Sequence, residues 1–74
     1  MSKSIHSNEY KAVIQKLREA REEAGLTQAE AAEKLGKPQS YISKIERGER
    51  RIDIIELSKI AQLYKKKTDW FLNN

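Results

Sequence analysis

Apolar residues recur at every third or fourth position along most of this chain, and charged residues fill the positions between them. Val13, Ile14, Leu17, Ala20 and Ala24 follow this spacing, which is the period of an α-helix with one buried face. No stretch alternates apolar and polar residues in the way that a half-buried strand requires. The pattern therefore predicts an all-α protein with five helices and no sheet.

Capping residues and glycines mark where these helices begin and end. Thr27 with Glu30, and Asp53 with Glu56, have the spacing of a capping box, in which two residues satisfy each other's backbone N–H groups. Glycine accepts the left-handed conformation that closes a helix, and all three glycines fall at the ends of apolar stripes. The predicted helices are about Asn8–Ala24, Gln28–Leu35, Pro38–Arg47, Ile54–Lys65 and Thr68–Leu72.

The stretch Leu26–Gly48 contains two short helices joined by a tight turn at Gly36. Neither helix is long enough to be stable alone, so both must pack on the rest of the chain. Ile42 and Ile45 give the second helix an apolar side. The residues left for its outer side are Gln39, Ser40, Tyr41, Ser43, Lys44 and Arg47. This arrangement is typical of a helix-turn-helix motif.

The stretch resembles the Cro/phage-repressor type of helix-turn-helix domain, also called the XRE family, of bacteria and phages. The resemblance covers about residues 17–72 and implies a compact five-helix, lambda-repressor-like DNA-binding fold. It further implies a sequence-specific regulator of transcription that binds double-stranded DNA. We expect a repressor that acts as a homodimer on an inverted-repeat operator. The chain departs from the family near Lys65, where glycine is usual. Either Lys65 adopts a left-handed conformation at a cost of about 1 kcal/mol, or the helix continues beyond it. The matching residues are Leu26, Thr27, Gln28, Ala32, Leu35, Gly36, Gln39, Ser40, Ile42, Ser43, Ile45, Glu46 and Gly48.

The net charge of +4 is concentrated on the motif. Between Lys34 and Arg51 there are six basic and two acidic residues, whereas basic and acidic residues cancel in the rest of the chain. A basic patch on one element is typical of a surface that binds nucleic acid. The alternative is a charged face that only contacts solvent. The basic patch coincides with an independently identified motif, and this coincidence favours DNA binding.

The resemblance also assigns roles to residues of the second motif helix and its flanks. It implies base reading by Gln39, Ser40 and Lys44, with Tyr41 against a base methyl group or the sugar–phosphate backbone. Glutamine can pair with adenine and lysine can reach guanine, so these residue types suit the task. Lys37 fits a phosphate contact and a solvated turn position equally well. The expected phosphate-binding residues are Gln28, Lys37, Ser43, Arg47, Arg50 and Arg51.

Other residues are expected to serve folding and assembly. Arg21 lies at the edge of the first apolar stripe, and the resemblance implies that it pairs with Glu46 as a structural bridge rather than a DNA contact. Trp70, Phe71 and Leu72 are too apolar to be exposed together, so they close the core or form a dimer contact. We expect at least one aromatic ring in the core and the remaining surface at the dimer interface.

The sequence offers little for catalysis or for a metal. There is no cysteine, and the single histidine, His6, lies in a flexible N-terminal arm predicted over residues 1–7, without partner ligands. Residues 8–74 are expected to form one domain, with no membrane segment and none left for an effector domain. We therefore expect a cytoplasmic, non-enzymatic protein with no cofactor and no small-molecule effector. A protein-interaction module on the same fold, such as an antitoxin or an adaptor, is the alternative function.

Overall fold

A computed structural model describes residues 7–72 and contains five helices in that range. No strand occurs there, so the predicted all-α class is confirmed, and each helix ends within one residue of its predicted position. Among these helices, none combines the length and the apolar character needed to cross a membrane. The helices are α1 (Asn8–Glu23), α2 (Gln28–Lys34), α3 (Gln39–Glu46), α4 (Ile54–Tyr64) and α5 (Thr68–Leu72).

Both predicted capping boxes are formed. The Thr27 hydroxyl accepts a hydrogen bond from the Glu30 backbone N–H, and the Glu30 carboxylate accepts one from the Thr27 backbone N–H. Asp53 and Glu56 bond in the same reciprocal way at the start of α4. Pro38 stands one position earlier than predicted, as the N-cap of α3, and its side chain makes no capping bond. These local bonds fix where the motif helix α2 and helix α4 begin.

Ser7 caps the start of α1. The Ser7 hydroxyl accepts a hydrogen bond from the Tyr10 backbone N–H at 3.1 Å, so the last residue of the predicted arm is joined to the helix. The rest of the predicted arm, including His6, lies outside the described residues, as do residues 73–74.

Lys65 closes α4 in a left-handed conformation with φ of 61°. The backbone N–H of Lys65 bonds to the carbonyl of Gln62, and that of Lys66 bonds to the carbonyl of Ala61. These bonds satisfy carbonyls at the end of the helix. The helix therefore stops at a cap that costs a non-glycine residue about 1 kcal/mol, and it does not run on.

The core lies where α1 meets α3, α4 and α5. Helix α2 packs against α3, and its fully buried Ala31 and Ala32 are small enough for the two helices to approach closely. Burying a large aliphatic or aromatic side chain contributes about 1.5–3 kcal/mol, so this core fixes the position of α3. The largest fully buried side chains are Leu17, Ile42, Ile45, Ile60 and Phe71.

The three apolar residues of α5 have different surroundings. Phe71 is 1% exposed, which confirms the expectation of at least one aromatic ring in the core and removes Phe71 from the candidates for a dimer contact. Trp70 is half-buried, with its ring edge-on to Phe71 at 5.1 Å and the Lys66 ammonium 4.5 Å from its centroid. The Lys16 ammonium also contacts this ring and donates to the Trp70 carbonyl at 2.9 Å. Only Leu72 offers a largely exposed apolar side chain, at 56%.

Candidate nucleic-acid interface

Helix α3 presents a polar side to solvent and an apolar side to the core. Ile42 and Ile45 are buried against the other helices, whereas Gln39, Ser40 and Lys44 are exposed. Because Ser40 and Lys44 are one helical turn apart, they lie on the same face. The structure thus leaves three of the four expected base-reading residues open to solvent on α3.

Tyr41 is the exception. The expectation that it lies on the outer side of α3 is wrong, because the residue is only 9% exposed. Its ring contacts the Lys37 ammonium, 5.3 Å from the centroid, and the Arg50 guanidinium at 4.7 Å. Burial raises the pKa of its hydroxyl, and the negative charge of Glu56 raises it further. Tyr41 is therefore a packing surface for two cations.

Arg50 is held by the protein itself. Its Nη1 donates to Glu56 Oε1 at 3.1 Å and its Nη2 donates to Glu56 Oε2 at 3.0 Å. Nη1 also donates to the Arg51 carbonyl at 2.7 Å. The hydrogen bonds from Arg50 hold the pKa of the Glu56 carboxyl below its ordinary value, against the opposing effect of burial. Because Glu56 also caps α4, Arg50 ties the loop after α3 to the start of α4.

Arg47 is paired more loosely. Its Nε and Nη2 donate to the two carboxylate oxygens of Glu49, both at 3.1 Å, and both side chains are more than half exposed. The Arg47 guanidinium lowers the pKa of the Glu49 carboxyl. An exposed pair of this kind contributes little to stability, so another anion can replace Glu49 at small cost.

The structure brings Arg21, Glu46 and Gln28 together. Arg21 Nε donates to Glu46 Oε2 at 2.7 Å, and Nη2 donates to Oε1 at 3.1 Å. Arg21 Nη1 donates to the carbonyl of Leu26 at 2.8 Å. The Gln28 amide donates to Glu46 Oε1 at 2.9 Å, so its side chain is already engaged at the start of α2. The hydrogen bond to Glu46 raises the pKa of Arg21, although burial opposes it.

The remaining phosphate-binding candidates lie beside the exposed face of α3. Lys37 and Arg51 are exposed, and Ser43 is half-buried, with its hydroxyl donating to the Ser40 carbonyl at 3.4 Å. Within residues 7–72, no group of histidine, cysteine, aspartate or glutamate side chains could hold a metal ion. The arrangement offers hydrogen-bond donors and cations on one surface, which is the chemistry of binding a polyanion.

The start of α4 carries an exposed apolar patch. Ile54 has the helical spacing of the buried Leu57 and Ile60, which predicts a core position, but Ile54 and Ile55 are each 62% exposed. The adjacency of these two isoleucines at the start of a helix could have indicated the exposure, because neighbouring positions point about 100° apart. Ile54 and Leu72 border a groove of about 190 Å³ whose lining also includes Tyr10 and Val13. We call this the Ile54–Leu72 groove.

Comparisons with known proteins agree with this architecture. A family model described as helix-turn-helix matches residues 17–71. The chain is 46% identical over 57 residues to the HTH-type transcriptional regulator ImmR of Bacillus subtilis (strain 168); the match covers 77% of this chain and 45% of that protein. This chain thus spans less than half the length of that relative. A solved structure of an XRE-family like protein from Pseudomonas syringae pv. tomato str. DC3000 is 43% identical, with a TM-score of 0.84, and the match covers 95% of this chain and 85% of the other.

Proposed function

We propose, because this chain belongs to the XRE-type helix-turn-helix family of DNA-binding transcriptional regulators, that it is a repressor which binds an inverted-repeat operator as a homodimer. The observation that carries this proposal is the exposed polar face of α3, set against a helix whose other side is fixed in the core. A recognition helix requires both features, since it must enter the major groove in a fixed orientation.

Base recognition falls to Gln39, Ser40 and Lys44 in this proposal. Gln39 is the first residue of α3, where recognition helices contact base edges. Its amide can bond to adenine at two positions, and the Lys44 ammonium can reach the acceptors of guanine. Tyr41 is left out because its ring is buried.

Phosphate contacts position the protein without selecting a sequence. Lys37 and Arg51 suit this role because they are exposed, and Arg47 suits it because its pairing with Glu49 is easily exchanged. Gln28 and Ser43 are neutral donors at the edge of the same surface. Arg50 acts indirectly, by holding the loop that carries Arg51.

The homodimer is proposed to form through the Ile54–Leu72 groove. One short recognition helix covers few base pairs, and two copies spaced by about 34 Å read successive faces of the major groove. The groove is lined mainly by apolar side chains, and the exposed Ile54 and Leu72 side chains would be buried by a second copy. Ile55 is equally exposed but does not line the groove, and it provides a matched control.

Light scattering with and without DNA tests the dimer. We expect Ile54→Glu and Leu72→Glu to shift the protein toward monomer and to weaken operator binding, whereas Ile55→Glu should leave the dimer intact. A dimer that survives both groove substitutions would place the interface elsewhere.

Selection of bound sequences from random duplex DNA, at two salt concentrations, tests the function itself. Enrichment of inverted repeats, and loss of reporter expression from a promoter carrying the enriched site, are the expected results. If no sequence is enriched at either salt concentration, the protein-interaction module becomes the better assignment. A regulator of this kind acts where the chromosome is, which places it in the cytoplasm.

A further inference from the structure

We propose that α1 adds a phosphate-binding site to the DNA interface, in a cleft between α1 and the C-terminal end of α3. This α1–α3 cleft has a volume of about 310 Å³ and is lined by residues that include Lys11, Arg18, Arg47 and Glu46, whose carboxylate is bonded to Arg21. The inference rests on the proposed DNA-binding function and extends its footprint beyond the helix-turn-helix motif. The ligand is a backbone phosphodiester of double-stranded DNA.

The cations of the cleft come from two separate helices. Lys11 and Arg18 are about two helical turns apart on α1, so their side chains leave the helix on the same side. Arg47 is the C-cap of α3 and closes the cleft from the opposite wall. Ile14 lies between these positions, and its Cδ1 atom would be 3.4 Å from a Cβ at Gly48. The close approach of α1 to Gly48 therefore brings the three cations to one cleft.

Lys11 and Arg18, the two cleft cations on α1, lack strong partners among the described residues. Within that range, the structure gives the Lys11 ammonium no hydrogen bond or ion pair. The Arg18 side chain is 57% exposed, and its Nε lies 3.8 Å from Glu46 Oε1, which is longer than a hydrogen bond. That carboxylate is already bonded to Arg21 on both oxygens. Among the described residues, a phosphate entering the cleft would thus meet Lys11 without an ion pair, Arg18 only loosely paired with Glu46, and Arg47 in an exposed, exchangeable pair with Glu49.

The cleft is continuous with the candidate DNA surface. The Glu46 Oε1 atom that lies near Arg18 also accepts the hydrogen bond from Gln28, which is a proposed phosphate contact. Arg47, another proposed contact, lines the cleft directly. A DNA strand that contacts Gln28 and Arg47 therefore comes close to Arg18.

The open form of the cleft favours a polyanion over a free anion. Lys11, Arg18 and Arg47 are all exposed to solvent, so each contact is weak on its own. DNA makes many such contacts at once and gains from the release of its counterions, which a single small anion does not.

The test measures affinity for the selected operator and for a scrambled duplex across a salt series. We expect Lys11→Ala and Arg18→Ala to weaken both duplexes by the same factor and each to lower the slope of log K against log salt concentration by about 0.9. Arg18→Lys keeps the charge and should keep the slope. Lys67→Ala, which removes an exposed lysine between α4 and α5, should change neither quantity. Thermal unfolding verifies that each variant is folded.

The outcomes separate this inference from the proposed function. If wild type discriminates operator from scrambled duplex but the Lys11→Ala and Arg18→Ala slopes equal the wild-type slope, the inference fails and the proposed function stands. If wild type binds no duplex at any salt concentration, both fail. Saturable binding of inorganic pyrophosphate that Arg18→Ala abolishes, with an unchanged DNA slope, would identify a free-anion site and overturn the assignment to DNA.

Discussion

Removing either partner of the Arg21–Glu46 pair should destabilise the fold much more than it alters base preference. The two side chains are only 10% and 2% exposed, respectively, and two hydrogen bonds join them. The pair links α1 to the end of α3, and neither partner lies on the exposed face of the recognition helix. Substitution with alanine leaves a buried charge without its partner, which costs about 3–5 kcal/mol.

The two substitutions should differ in size. In Glu46→Ala, the Arg21 guanidinium keeps only its bond to the Leu26 carbonyl, and Gln28 also loses its acceptor. In Arg21→Ala, the Glu46 carboxylate keeps the bond from Gln28, and Arg18 is 3.8 Å away and exposed enough to move closer. We therefore expect Glu46→Ala to be the more damaging change.

Thermal and urea unfolding of the two single variants and the double variant measure the coupling between these side chains. A loss of 3 kcal/mol corresponds to a fall of roughly 12–24 °C in the melting temperature of a domain of this size. Folded protein at low temperature should still prefer the same operator bases. A coupling energy near zero, or a changed base preference with little loss of stability, would refute a structural role for the pair.

Three further changes test separate features of the molecule. Gln39→Ala and Lys44→Ala should each reduce binding to the preferred site by about 1–3 kcal/mol and relax base choice, whereas Arg51→Ala should weaken all duplexes about equally. Lys65→Gly should raise the free energy of unfolding by up to about 1 kcal/mol, because glycine accepts a φ of 61° without strain. Stability should fall in acid below the ordinary glutamate pKa of 4.5, since folding lowers the pKa of Glu56, and Glu56→Gln should flatten that dependence.

Each of these expectations has a contrary outcome. A changed sequence preference in the Arg51 variant, with none in the Gln39 and Lys44 variants, would reverse the assignment of base and phosphate contacts. A Lys65→Gly variant less stable than wild type would mean that the lost side chain matters more than the relieved cap. The folded Glu56 carboxyl binds its proton more weakly than the unfolded one, so its contribution is present above the ordinary pKa and is lost as the pH falls through the lowered value. Greater stability in acid would contradict that sign.

The helices could be predicted from sequence because local features determine them. The capping boxes at Thr27 and Asp53 act over three residues, and their reciprocal bonds form as their spacing indicates. The helical period of the apolar residues is also a local property, which is why each helix end is within one residue of its prediction. Lys65 shows the limit of local reasoning: the sequence left a strained cap and a longer helix as alternatives, and the structure has the cap.

The position of a residue in the site depends on parts of the chain distant in sequence. Tyr41 was placed on the outer face of α3 by its sequence neighbours, but Arg50 and Lys37 contact its ring from outside the helix. The net charge counted between Lys34 and Arg51 was correct, but the count did not include Glu56. This residue lies beyond that stretch and holds Arg50.

That pairing changes what Arg50 should do on DNA. Glu56 holds Arg50 through both carboxylate oxygens while it caps α4, so releasing Arg50 to a phosphate would disturb the start of a helix. We therefore expect Arg50→Ala to lower the free energy of unfolding and to leave the salt slope of DNA binding nearly unchanged, in contrast to Arg51→Ala. Arg50→Lys should not restore stability, because an ammonium group cannot reproduce the two parallel bonds of a guanidinium. Equal loss of salt slope in the Arg50→Ala and Arg51→Ala variants would show that Arg50 leaves Glu56 to bind a phosphate directly.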